Sequence, residues 1–347
     1  GVQISTTGTQ TAGLQEAVNY ANSHNLDLYV FGRGVKNASL YDQGGYYAMG
    51  AGLVLPAMSF TDYRIGSATL NCTITGGTAL AVQAAHGCNF ELCGQIVAHS
   101  PGSDSSVSFS SGGGAIENST FRIQHITYKN TGVAFLTSGG HNISDNYFFF
   151  NEVVGVPWDI GGGGYVGVQV ANPPSGSLFT NNHVRVIHDH GFTTLGCQVG
   201  YEAANASNIT DNTFLIQTSP DREGSVLGFQ MWGSNNTMRY KGFGTNLQIG
   251  VKFEPGSSYN ALQYGSVAAT TKVADYGTGN SKTNQNYDAN PADTAPPAGC
   301  IAIERGAAYV TSQTVTINAA ATDELGVVSQ MRFSNDGGAN WSEWRPF

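Results

Sequence analysis

A right-handed parallel β-helix is the fold this sequence predicts, on three observations: its composition, a repeated asparagine motif, and the short alternating runs around that motif. Charged residues make up only 11% of the 347-residue chain, while 46 residues are glycine. An average soluble domain carries about 25% charge. This chain therefore suits many tight turns and extended segments better than a helical bundle or a doubly wound sheet.

The repeat comes next. NISDNYF (142–148), LFTNNHV (178–184) and NITDNTF (208–214) align without gaps on an apolar, Ser/Thr, Asx, Asn, x, apolar pattern. Their shared asparagines, Asn146, Asn182 and Asn212, lie 36 and 30 residues apart. A looser version, NNTMRYKGF, follows at Asn235. Self-similarity at a few tens of residues marks a repeat architecture, and the period-2 alternation within each unit marks strand. Asparagine tolerates a left-handed corner, and its amide can bond to the same corner of the next coil. Unequal spacings then mean that some coils carry inserted loops.

Ahead of the repeats, Leu14, Ala17, Val18 and Ala21 make one apolar face of a short helix, with Thr11 as the expected N-cap. LDLYVFG (26–32) reads as the strand that follows. A short helix at this position would cover the open end of the coil stack.

The cap helix with LDLYVFG, then GLVLPAMSFTDYRIGSATLNCTI, then the NISDN, FTNN and NITDN coils resemble the pectate-lyase-like β-helix superfamily. The resemblance covers roughly residues 10–285. It implies the fold, and it leaves the chemistry open because many activities share this scaffold. HDHG (188–191) is not the polygalacturonase signature, and the pectin-esterase carboxylate pattern is missing as well.

The expected domain organisation is a β-helix over 1–285, a polar Pro- and Gly-containing linker over 286–298, and a partial module over 299–347. MRFSNDGGANWSEWRPF resembles a bacterial surface immunoglobulin-like module, of which roughly half would be present. The opening GVQISTTGTQ lacks the basic and apolar regions of an export signal, so any such signal is expected to have been removed. The whole reads as part of a longer secreted or cell-surface protein.

Function on a β-helix sits on an outward sheet face and its bordering loops. Three successive intervals offer titratable groups: Glu152, Trp158 and Asp159; then Arg185, His188, Asp189, His190 and Glu202; then Asp221, Arg222, Glu223 and Trp232. Glycoside hydrolysis needs one carboxyl as acid and a second as base or nucleophile, about 5 to 9.5 Å apart. Neighbouring coils, about 4.8 Å apart, can supply that separation. Glu152, Asp159, Asp189 and Glu223 form the pool for the pair, with Trp158 and Trp232 as sugar platforms. A lyase would use His188 and His190 as bases and Arg185 and Arg222 against a uronate carboxylate, with Ca²⁺ as an optional cofactor. In an extended strand His188 and His190 share a face and Asp189 takes the other, so either the histidines or the aspartate would serve, whereas a turn at DHG would let all three converge. The remaining histidines, His24, His86, His99, His125 and His141, read as surface or corner residues.

The formal charge of −9 works against nucleic acid, and an acidic glycan would need a local basic patch. No apolar run is long enough to span a membrane. Of the five cysteines none has metal-ligand spacing. They read as buried residues, with a Cys88–Cys93 disulfide as the alternative. The partner is therefore expected to be a polysaccharide or oligosaccharide, and the expected assembly is a homotrimer. The function classes that remain are a polysaccharide-cleaving hydrolase or transglycosylase, a polysaccharide lyase, and a non-catalytic glycan-binding or adhesive surface protein.

Overall fold

The computed structural model describes residues 11, 13–30, 45–66, 68–72, 77–98, 105–156, 166–220, 226–242, 246–282, 298–303, 317–322, 330–334 and 339–346. Up to residue 282 these form a right-handed parallel β-helix built on three parallel sheets. The long sheet runs from Leu28–Val30 through Asn89–Ala98, Thr120–Tyr128, Tyr147–Gly155, His183–Gly191, Thr213–Pro220 and Thr237–Gly242 to Ser281–Lys282. A second sheet stacks nine strands, from Leu53–Leu55 to Thr271–Asp275, and two-residue strands form a small corner sheet between them.

Each coil turns its apolar residues inward, where they stack on the equivalent residues of the next coil. Phe90, Phe121 and Phe148 occupy one register row of the long sheet, continued by Val184, Phe214 and Met238. The Phe121 and Phe148 rings stack at 5.4 Å. The core is thus a set of columns, each residue supported from above and below.

The corners explain the repeat, through two residues where one was expected. The left-handed conformation falls on Asn118, Asp145, Asn181, Asp211 and Asn235. The residue after each points inward and forms the ladder. Asn146 donates through Nδ2 to Oδ1 of Asn182 at 3.0 Å, Asn182 to Asn212 at 3.1 Å, and Asn212 to Asn236 at 2.9 Å. Asn236, Asn260 and Asn280 continue it. Upstream the same column holds Ser119, whose N–H donates to Asn146 Oδ1 at 3.0 Å. One asparagine cannot both take the strained corner and aim its amide along the stack, so adjacent positions divide the work.

The N-terminal helix spans Leu14–Ser23 and buries Leu14, Val18 and Ala21. Gly13, in a left-handed conformation, is its N-cap rather than Thr11. The Thr11 hydroxyl still accepts the Gln15 N–H at 3.2 Å from further out. Gln15 also closes the sheet edge: its carboxamide donates to Val54 O and accepts from Val54 N, both at 2.7 Å. A side chain here mimics the missing next strand.

Cys72, Cys88 and Cys197 are buried free thiols, whereas Cys93 is disulfide-bonded. The Cys88–Cys93 pairing therefore does not form. Most of the expected linker lies outside the described residues, and Ala298 opens the strand Ala298–Ile303. That strand pairs antiparallel with Ile317–Thr322, and Gln330–Met331 pairs antiparallel with Arg345–Pro346. No described helix is long and apolar enough to cross a membrane.

Candidate functional site

The strands Thr120–Tyr128, Tyr147–Gly155 and His183–Gly191 pair in register, bringing His125, Glu152 and His188 into one outward row. His190 lies one row further on, opposite Val154. Glu152 reaches both ways from the middle strand. Its Oε2 meets His125 Nδ1 at 2.6 Å and its Oε1 meets His190 Nε2 at 2.9 Å. The His188 ring lies 4.5 Å from that of His190.

These contacts fix charge and tautomer. Hydrogen bonds from His125 and then His190 hold the Glu152 carboxyl well below the usual carboxylate range, against an opposing contribution from partial burial. In its neutral form each imidazole donates the proton it shares with Glu152. That leaves Nε2 of His125 and Nδ1 of His190 as the basic nitrogens.

Asp189 goes the other way. It is 0% exposed and occupies the inward row Ile126, Val153, Asp189, Thr218. The hydroxyls of Tyr128 and Thr193 both donate to its Oδ1 at 3.1 Å. Burial raises its pKa well above the ordinary value, with those two hydrogen bonds opposing. Room for it comes from the facing sheet: a Cβ on Gly167 would lie 2.6 Å from Asp189 Cγ. The strand continues through His188, Asp189 and His190 without a turn, so the three residues of HDH do not converge. The histidines face out and the aspartate faces in, away from any glycan on the outer face.

Toward the corner on the same outer face runs a second row: Arg64, Glu91, Arg122, Phe149, Arg185, Leu215, Arg239. Arginine recurs at alternate coils, roughly 10 Å apart along the axis. The Arg122 guanidinium sits 5.0 Å from the Phe149 ring centroid, and Tyr147 stacks beside that ring at 6.3 Å. Arg185 is 9% exposed, whereas Arg122 is exposed. Lys241 adds a further cation, outward and in register with Gln217. The row is mixed in charge: Arg64 pairs with Asp62 at 2.8 Å, and Glu91 stands between Arg64 and Arg122.

The remaining predicted site residues lie elsewhere. Trp158, Asp159, Arg222 and Glu223 are outside the described residues. Trp232 follows the second-sheet strand Val226–Met231, where Gly200 lies against its Cβ. It therefore sits at the far end of that strand from the histidines. Glu202 is exposed, and its backbone carbonyl accepts from Asn172 Nδ2 at 2.8 Å. Among the described residues no group of three or more His, Cys, Asp or Glu converges as a metal-binding set.

Sequence reasoning missed His125, Arg122, Phe149 and Arg239. A usable signal existed for the first. His125, Glu152 and His188 each follow their corner-column residue, Ser119, Asn146 and Asn182, by six positions. Counting from the column aligns them.

Fold and site together define a right-handed parallel β-helix carrying an outward His–Glu–His cluster beside an arginine row. Comparison with family models, with curated proteins and with solved structures finds no match.

Proposed function

We propose that the protein is an extracellular enzyme that cleaves an acidic polysaccharide by β-elimination at a uronate residue. The observation that supports this best is the placing of Glu152-anchored imidazoles beside a row of arginines on one outer face. The substrate lies along the coils over the long sheet. Arg122 and its row partners offset the uronate carboxylate, whose negative charge grows as the adjacent carbon loses its proton.

A neutral imidazole of the cluster takes the C5 proton. The freed electron pair forms the C4–C5 double bond as the C4–O bond breaks, and the leaving oxygen takes a proton from the imidazolium just formed. The products are an unsaturated uronate end and a new reducing end. Glu152 does not exchange a proton itself; it holds His125 and His190 in one tautomer and steadies their charged forms.

Elimination is favoured over hydrolysis by the state of the carboxyls. A hydrolase needs one protonated acid facing the substrate. Glu152 is held ionised, and Asp189 lies inside the core, out of reach of a substrate on the outer face. Hydrolysis would have to draw its acid from Asp159 or Glu223.

The test is depolymerisation of polygalacturonate, alginate and a neutral glucan, reading both product absorbance and reducing ends. Absorbance rising together with reducing ends on a uronate polymer supports elimination. Reducing ends alone mean hydrolysis and overturn the step. Binding without cleavage means a glycan-binding surface protein and overturns the enzyme.

A further inference from the structure

The strand His183–Gly191 leaves regular pairing at the point where it carries its histidines. Val186 pairs with Ile216 and Asp189 with Thr218, so Ile187 and His188 together face the space of the single residue Gln217. A bulge of this kind leaves its residues less constrained by the ladder. Beyond His190 the chain turns through Gly191, at φ 81°, to Thr193. The bulge is one-sided: His188 and His190 stay in register with Glu152 and Val154 of the preceding coil, while toward the following coil His188 has no single partner.

Inside, the same stretch is pinned. Asp189 and Thr193 point into the core on either side of His190 and bond to each other at 3.1 Å. The Thr193 hydroxyl also lies 3.3 Å from His190 O and 2.6 Å from Tyr128 OH. Tyr128 ends the strand that carries His125. An inner triad (Tyr128, Asp189, Thr193) joins Thr120–Tyr128 to His183–Gly191 directly, and an outer one (His125, Glu152, His190) joins them from the opposite face through Glu152 of the strand between. Packing does not require the carboxyl, because the row uses Ile126 and Val153 in the preceding coils. Burying an acid there carries a desolvation cost, and Oδ2 finds no hydrogen-bond partner among the described residues.

We infer that Asp189 is a positioning residue: its buried carboxyl locks the bulge and the turn so that His190 is held against Glu152, with the His188 ring beside it. The consequence for catalysis rests on the function proposed above; the consequence for geometry does not.

The test is the imidazole N–H resonance of His190, read by ¹⁵N-edited NMR on the full chain without substrate. A proton shared with Glu152 at 2.9 Å should be shifted downfield and slow to exchange. Asp189→Asn keeps an acceptor at Oδ1 and should keep that resonance. Asp189→Val fits the apolar row and should lose it, with circular dichroism unchanged. On an eliminated uronate polymer, Asp189→Val should lower kcat about tenfold to a hundredfold with KM little altered. A resonance retained in Asp189→Val, or lost in Asp189→Asn, overturns the assignment. Should Asp189→Val fail to fold, Thr193→Val removes one hydroxyl from the same lock; loss of the resonance supports the assignment and an unchanged one overturns it. If no glycan is cleaved at all, the resonance still decides the geometry.

Discussion

Glu152 and Asp189 lie on neighbouring strands of one sheet, face opposite ways, and have pKa values shifted in opposite directions. Glu152 points outward between two imidazoles that hold it ionised, and Asp189 points into a core whose low polarity raises its pKa. Two carboxyls one coil apart are thus separated in chemistry by the sheet between them.

Glu152→Gln should remove the ionised acceptor that fixes both histidines. Cleavage of a uronate polymer should fall by about a hundredfold or more, the scale of proton-transfer catalysis. The side chain is outward and half-exposed, so the melting temperature should move by only a few degrees. Wild-type activity in this variant would remove Glu152 from the site.

The same variant has a pH signature in stability. The Glu152 carboxyl is depressed in the folded state, so its contribution is complete above the ordinary value of 4.5 and is lost as pH falls through the lower folded value. The stability difference between wild type and Glu152→Gln should shrink as urea midpoints are taken at lower pH. A difference that grows on acidification would contradict the assignment.

Asp189 runs the other way. Its folded-state pKa lies above the ordinary 3.8, so the associated stability is present below that value and is lost as pH rises. Asp189→Asn cannot ionise and escapes this loss. Its stability relative to wild type should therefore rise between pH 4 and pH 8, as urea denaturation would measure. Parallel curves would mean that the carboxyl ionises in the fold.

Asn212→Ala should break the ladder at its middle. Asn212 Oδ1 accepts from both Asn182 N, at 2.9 Å, and Asn182 Nδ2, and its own amide donates to Phe179 O and Asn236. Leaving these buried groups unmatched should cost about 3 kcal/mol or more. Asn280→Ala, at the end of the column, should cost less. Equal losses would mean that the column is not cooperative.

Arg122→Glu should raise KM for a polyuronate about tenfold, equivalent to about 1.4 kcal/mol, and more at low salt than at high salt. A KM insensitive to both charge and salt would exclude Arg122 from substrate contact.

Much of the fold was legible because a solenoid writes its contacts into its spacing. The cap helix, the strand at Leu28–Val30 and the column through Asn146, Asn182 and Asn212 each follow from local pattern. The site was legible only in part. That His188 and His190 share a face and Asp189 takes the other follows from strand periodicity, but His125 looked isolated. Its partner Glu152 is 27 residues away in sequence, at an interval set by one coil's own loop length.

The sequence by itself determined that this chain stacks into coils, because identical corners recur and period-2 alternation gives each coil one apolar side. Only the tertiary structure decided which charged residues meet. Coils of unequal length bring residues into register only once their corners are stacked, so the row of His125, Glu152 and His188 and the alternating arginines come into being with the ladder. The burial that raises the pKa of Asp189 arises in the same way, from the closed coil around it and the glycines of the facing sheet.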